Sequence, residues 1–130
     1  MVRNLRWVYA GWFVLITAAV VLQLYLAGYG VFAFNGLNGF GAHFVVGDLI
    51  GIAILIGIGL AFAARVPWNA TAINGALVVL MVIQFLLAHT GVAVISALHI
   101  LNGVLILALT GFLTRRLVTL ARGGAPALVK

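Results

Sequence analysis

Cysteine is absent from the chain, which excludes disulfides, iron–sulfur clusters and thiolate chemistry. Acid is almost as scarce: Asp48 is the single carboxylate side chain, so no paired-carboxylate mechanism can operate. Charged residues of either sign make up only 6% of the 130 residues. What is there is apolar: 66% of the residues are hydrophobic and the mean hydropathy is +1.33. A water-soluble domain does not carry that much apolar surface.

The apolar residues form four runs, each as long as the roughly 17–20 residues needed to cross a hydrocarbon core. They predict helices over 7–32, 40–64, 70–91 and 95–114. The first run is too long and too aromatic for a cleaved signal peptide. Residues 1–114 are thus expected to be one transmembrane domain, and 115–130 a basic cytoplasmic tail. All seven basic residues (Arg3, Arg6, Arg65, Arg115, Arg116, Arg122 and Lys130) fall in the terminal segments or the second connection. This positive-inside pattern places both termini in the cytoplasm and suits a multi-pass protein of a bacterial inner (plasma) membrane. The net charge of +6 is accounted for by topology and anionic lipid heads, and the scattered placement argues against nucleic acid.

The connections are short, so neighbouring helices are antiparallel and the expected fold is an all-α, up-down-up-down four-helix bundle. "NGLNG" (35–39) reads as a turn, Pro67 ends the second helix, and Asn69, Thr71 and Ser96 are candidate N-caps. Trp7, Tyr9, Trp12, Trp68 and Tyr29 are expected at the membrane interfaces. An internal repeat is present. "LQLYLAGYGV" (22–31) matches "IQFLLAHTGV" (83–92) at Gln, Leu, Ala, Gly and Val. Each is followed by a helix carrying a histidine with a glycine four residues later, "HFVVG" (43–47) and "HILNG" (99–103). The chain reads as two helical hairpins of one design.

Three histidines, His43, His89 and His99, are expected at similar depth in the outer leaflet. Neutral imidazole is the usual axial ligand of a membrane haem, and the helix N-terminus disfavours its protonated form. His43, Gly47 and Gly51 share one helix face, as do His99 and Gly103, leaving a small-residue stripe beside each candidate ligand. Such stripes also serve plain helix packing. His43 and His99 are read as ligands of one haem b, with His89 attending it through a propionate, a quinone pocket or a helix cap. Asp48, inside the second helix, is expected to meet His89, a propionate-bound water or a backbone group. Gln23 and Gln84 are assigned to interhelical hydrogen bonds. A three-histidine zinc or copper site would need all three imidazoles at one point.

The run "LQxxLAG…AHFVVGDLIG", followed by "IQFLLAHTGV…ALHILNGVLILALTG", resembles one four-helix half of the haem A synthase family, and small four-helix b-type cytochromes generally. The resemblance covers most of residues 20–113 and implies His43 and His99 as axial ligands of one outward-side haem. Here "HF" replaces the family's "HR", the acidic residue one turn before that histidine is missing, and there is one half instead of two. These departures point away from haem A synthesis and toward a non-enzymatic electron-transfer protein. Quinol or a respiratory complex is its expected partner, and homo-oligomers are compatible with it. The alternative is a cofactor-free scaffold or accessory subunit of a larger membrane complex.

Overall fold

A long helix, α1 (Val2–Phe32), opens the chain. Its 31 residues span about 46 Å at 1.5 Å per residue, more than a hydrocarbon core needs. Part of the surplus is the polar first turn, Arg3 to Arg6. The computed structural model describes residues 1–33 and 39–123. The turn expected at "NGLNG" falls on 35–39, of which 35–38 lie outside the described residues, as does most of the tail "RGGAPALVK".

The remaining helices are α2 (Gly41–Ala63), α3 (Trp68–Ala88) and α4 (Ala93–Ala121). All four are long and apolar enough to cross a membrane. Each packs against its two neighbours in the order α1, α2, α3, α4 and back to α1, while α1–α3 and α2–α4 are diagonals. The protein is therefore an antiparallel four-helix bundle. The basic chain ends and the α2–α3 connection gather at one end, which we call the basic end. The start of α2 and the α3–α4 connection lie at the other, the histidine end.

Local signals set the helix limits. α2 closes with a Schellman arrangement: Val66 N–H reaches Ala61 O at 3.3 Å and Arg65 N–H reaches Phe62 O at 3.1 Å. Arg65 takes the left-handed conformation (φ 48°) that this motif requires. Its carbonyl accepts a bond from Arg6 Nη2 at 3.4 Å, tying α1 to the turn. Pro67 caps α3 instead of Asn69 or Thr71, and Val92 caps α4 instead of Ser96, both without a side-chain bond. α4 runs seven residues past its expected end at 114. Leu117, Leu120 and Ala121 are buried, so the apolar face of "RRLVTLA" continues the core. Arg115 and Arg116 are therefore helical, and the tail begins later than the sequence suggests.

The core is lopsided. The largest fully buried side chains, Tyr9, Phe13, Ile54, Asn74, Leu77, Thr110, Leu113 and Leu117, all sit toward the basic end or mid-bundle. Asn74 Nδ2 donates to Tyr9 OH at 3.1 Å, and Gly57 leaves the room in which Asn74 and Phe13 lie. Trp12, expected at an interface, is half-buried and donates Nε1–H to Ala53 O at 2.9 Å, joining α1 to α2. Toward the histidine end, α3 has no fully buried residue after Met81 and α4 none before Ile106. There α3 and α4 are joined by hydrogen bonds at His99 and Asn102, while the Phe40 ring packs on the buried Gly30 of α1.

Candidate functional site

Helix α2 carries His43 in its first turn, and α4 carries His99 in its second. The two half-buried rings face each other across the α2–α4 diagonal with centroids 6.1 Å apart and planes inclined by 60°. Each ring is anchored by the preceding helix. His43 Nδ1–H donates to Gln23 O on α1 at 3.2 Å, and His99 Nδ1–H donates to Gln84 O on α3 at 3.1 Å. A carbonyl can only accept, so Nδ1 carries the proton in both rings. In each neutral ring this leaves the lone pair on Nε2, the arrangement seen in metal-binding imidazoles.

The two halves thus use Gln and His alike, as the internal repeat leads one to expect, but their side-chain amides differ. Gln23 Nε2 donates to His43 O at 2.7 Å, and its Oε1 is buried without a partner. Gln84 Nε2 donates to His99 Nε2 at 3.1 Å, while Gln84 Oε1 accepts from Asn102 Nδ2 at 2.7 Å. Asn102 also donates to Leu80 O at 2.9 Å. Sequence reasoning passed over Asn102, although its place three residues after His99 puts it on the same face.

The glycines stand where the repeat puts them. Gly47 and Gly103, one turn after the histidines, face the glutamine amides: a Cβ at Gly47 would come within 2.9 Å of Gln23 Nε2, and one at Gly103 within 3.4 Å of Gln84 Nε2. Gly51 lies under the Phe85 ring, 3.3 Å from where its Cβ would be. Around His43, Phe40 and Phe44 add edge-on aromatic contacts at 6.2 and 6.1 Å.

His89 does not join the pair. It is the C-cap residue of α3, is exposed, and donates Nδ1–H to Phe85 O of its own helix at 2.7 Å. Among the described residues no group of three or more His, Asp or Glu side chains converges to hold a metal ion, so a three-histidine zinc or copper centre does not assemble there. Asp48 is exposed and lines a groove between α2 and α3, where it makes no side-chain hydrogen bond within the described residues. His89, one of its expected partners, is turned to Phe85 O instead.

The fold and this polar end define a compact helical protein whose four helices fit multi-pass membrane insertion. The chain belongs to the family of unknown function DUF6220, whose profile matches residues 23–93. That segment includes Gln23, His43, Asp48, Gln84 and His89 and stops before His99. No curated protein and no solved structure matches the chain.

Proposed function

We propose that the protein is a membrane b-type cytochrome that binds one haem b through His43 and His99 and carries single electrons. The observation that supports it is the facing pair of imidazoles, each turned by a carbonyl of the neighbouring helix so that Nε2 is the unprotonated nitrogen. The ring centroids stand 6.1 Å apart, so one iron-centred group would be within reach of both imidazoles. A haem would ask for no more than two protein ligands, and His43 and His99 are the residues that would hold it. When bound, it provides a one-electron iron couple.

The chain's own groups do the rest. Gln23 and Gln84 carbonyls orient the rings and make them better donors. Gln84 Nε2 occupies the lone pair of His99 that a haem would need, so His99 would have to release that hydrogen bond to hold one. The scarcity of buried side chains around the start of α4 leaves a deformable region in which a flat group can be admitted. The charge pattern orients the basic end to the cytoplasm of a bacterial plasma membrane and the histidines to the outer side. The acidic residue that the resemblance leads one to expect one turn before His43 is missing, which argues against haem A synthesis. A quinol or a respiratory complex is the natural electron partner.

One observation favours a second reading. Both small-residue positions beside the histidines are covered by glutamine amides, and the polar network around His99 closes on itself. A cofactor-free scaffold or accessory subunit would be built this way. The deciding experiment is a reduced-minus-oxidised spectrum of the purified protein with pyridine haemochrome quantification. A sharp α-band with about one haem per chain supports the cytochrome. A flat spectrum after haem supplementation overturns it in favour of the scaffold.

A further inference from the structure

Asp48 is the chain's only acidic side chain, and it faces outward into a groove of about 440 Å³ between α2 and α3. It stands seven residues after the start of α2, about 10 Å along the axis, which is within the hydrocarbon layer of a spanning helix. An ionisable group at that depth is costly unless something polar covers it. The groove's other lining is apolar: Gly51 with the Phe85 ring lying against it, Met81, and Ile52, Leu55 and Val82 on the side open to lipid. The groove adjoins the histidine pair through the chain itself. Gly51 is on the His43 face of α2, and Phe85 follows Gln84, which bonds His99.

We propose that this groove is a binding site for the aromatic head of a membrane-dissolved hydroquinone, with the Asp48 carboxylate accepting a hydrogen bond from a ring hydroxyl. The shape suits a flat ring seated beside Phe85, with its hydrocarbon tail leaving past Ile52, Leu55 and Val82 into the bilayer. A second copy of the chain would bring no ion pair to Asp48. Every basic residue described lies at the basic end, so a parallel neighbour offers Asp48 no cation at its depth. Lipid head groups stand a helix turn or two above it, beyond the reach of a short aspartate. A lipid-soluble molecule with a hydroxyl donor meets both the depth and the polarity. For its redox meaning the proposal rests on the haem reading, while the binding itself needs no iron.

The chain has two methionines, Met1 at the terminus and Met81 in the groove, so the Met81 ε-methyl is a resolved NMR reporter of occupancy. The purified protein, labelled with [¹³C-methyl]methionine in phosphatidylglycerol–phosphatidylcholine nanodiscs, is titrated anaerobically with 2-methyl-1,4-naphthohydroquinone and separately with its dimethyl ether. We expect a saturable Met81 shift with the hydroquinone and binding at least about tenfold weaker for the ether, which has no hydroxyl to donate. Asp48→Leu should erase that preference, and Gly59→Ala, at an exposed position outside the groove, should keep it. An unmoved or unsaturable Met81 signal, equal binding of hydroquinone and ether, or a shift that follows protein density without ligand overturns the proposal. The Soret band of the same sample reports the haem reading separately. A colourless protein that still discriminates the two compounds leaves the groove assignment standing alone.

Discussion

His43 and His99 meet across the diagonal of the bundle, ring centroids 6.1 Å apart, although their helices do not pack directly on one another. They are brought together by the other two helices. α1 offers the Gln23 carbonyl to one ring and α3 offers the Gln84 carbonyl to the other. If these rings hold a haem, removing either should leave no second axial ligand. His43→Ala and His99→Ala are each expected to abolish the Soret band of membranes that show it in the parent protein. Full haem retention in both would exclude the pair as ligands.

The Gln84–His99 contact should be measurable as a coupling in the protein without added haem. A double-mutant cycle with Gln84→Leu and His99→Phe, read by reversible unfolding in mixed micelles, should give about 0.6 kcal/mol, and no more than about 1.7 kcal/mol, the range of interhelical bonds in membranes. Zero coupling would mean that the side-chain bond does not persist. Supplied haem should lower the coupling, because iron takes the same lone pair.

At the other end, Asn74 is fully buried and its Oδ1 has no partner, while Nδ2 donates to Tyr9 OH. Tyr9→Phe leaves the whole amide unpaired and should destabilise the bundle by about 1–3 kcal/mol. Adding Asn74→Leu removes the stranded amide and should recover most of that loss. A double variant less stable than Tyr9→Phe alone would show that packing, not polarity, governs this site.

Glycine substitutions should separate contact from propensity. Gly57 is buried, and a Cβ there would stand 2.8 Å from Asn74 Nδ2 and 3.1 Å from Phe13, so Gly57→Ala should lower the thermal midpoint. Gly59 is exposed with nothing within 4 Å, and Gly59→Ala should be neutral or stabilising by about 0.5–1 kcal/mol from helix propensity. Thermal unfolding followed by circular dichroism distinguishes the two, and equal effects would contradict the packing described at Gly57.

Because the chain has no cysteine, single-cysteine variants report topology without background. Thr90→Cys, at the histidine end, should react with a membrane-impermeant maleimide on intact cells. Asn69→Cys, at the basic end, should react only after the membrane is opened. The reverse pattern would invert the orientation drawn from the arginines.

Much of this protein was legible in its sequence because the governing physics is local. Length and hydropathy determined four helices long and apolar enough to cross a membrane, short connections made neighbours antiparallel, and counting residues from each helix end brought His43, His89 and His99 to one end. The repeat also identified Gln23 and Gln84 as equivalent, and both anchor a histidine. Azimuth was not legible. These helices are apolar all round, so periodicity does not say which face turns inward. Only the tertiary structure decided that His43 and His99 face each other while His89 turns back to cap α3, and that Asp48 points out into a groove. It likewise placed glutamine amides over Gly47 and Gly103 and carried α4 on to Ala121, because these depend on what neighbouring helices present across the gap, which no single segment encodes.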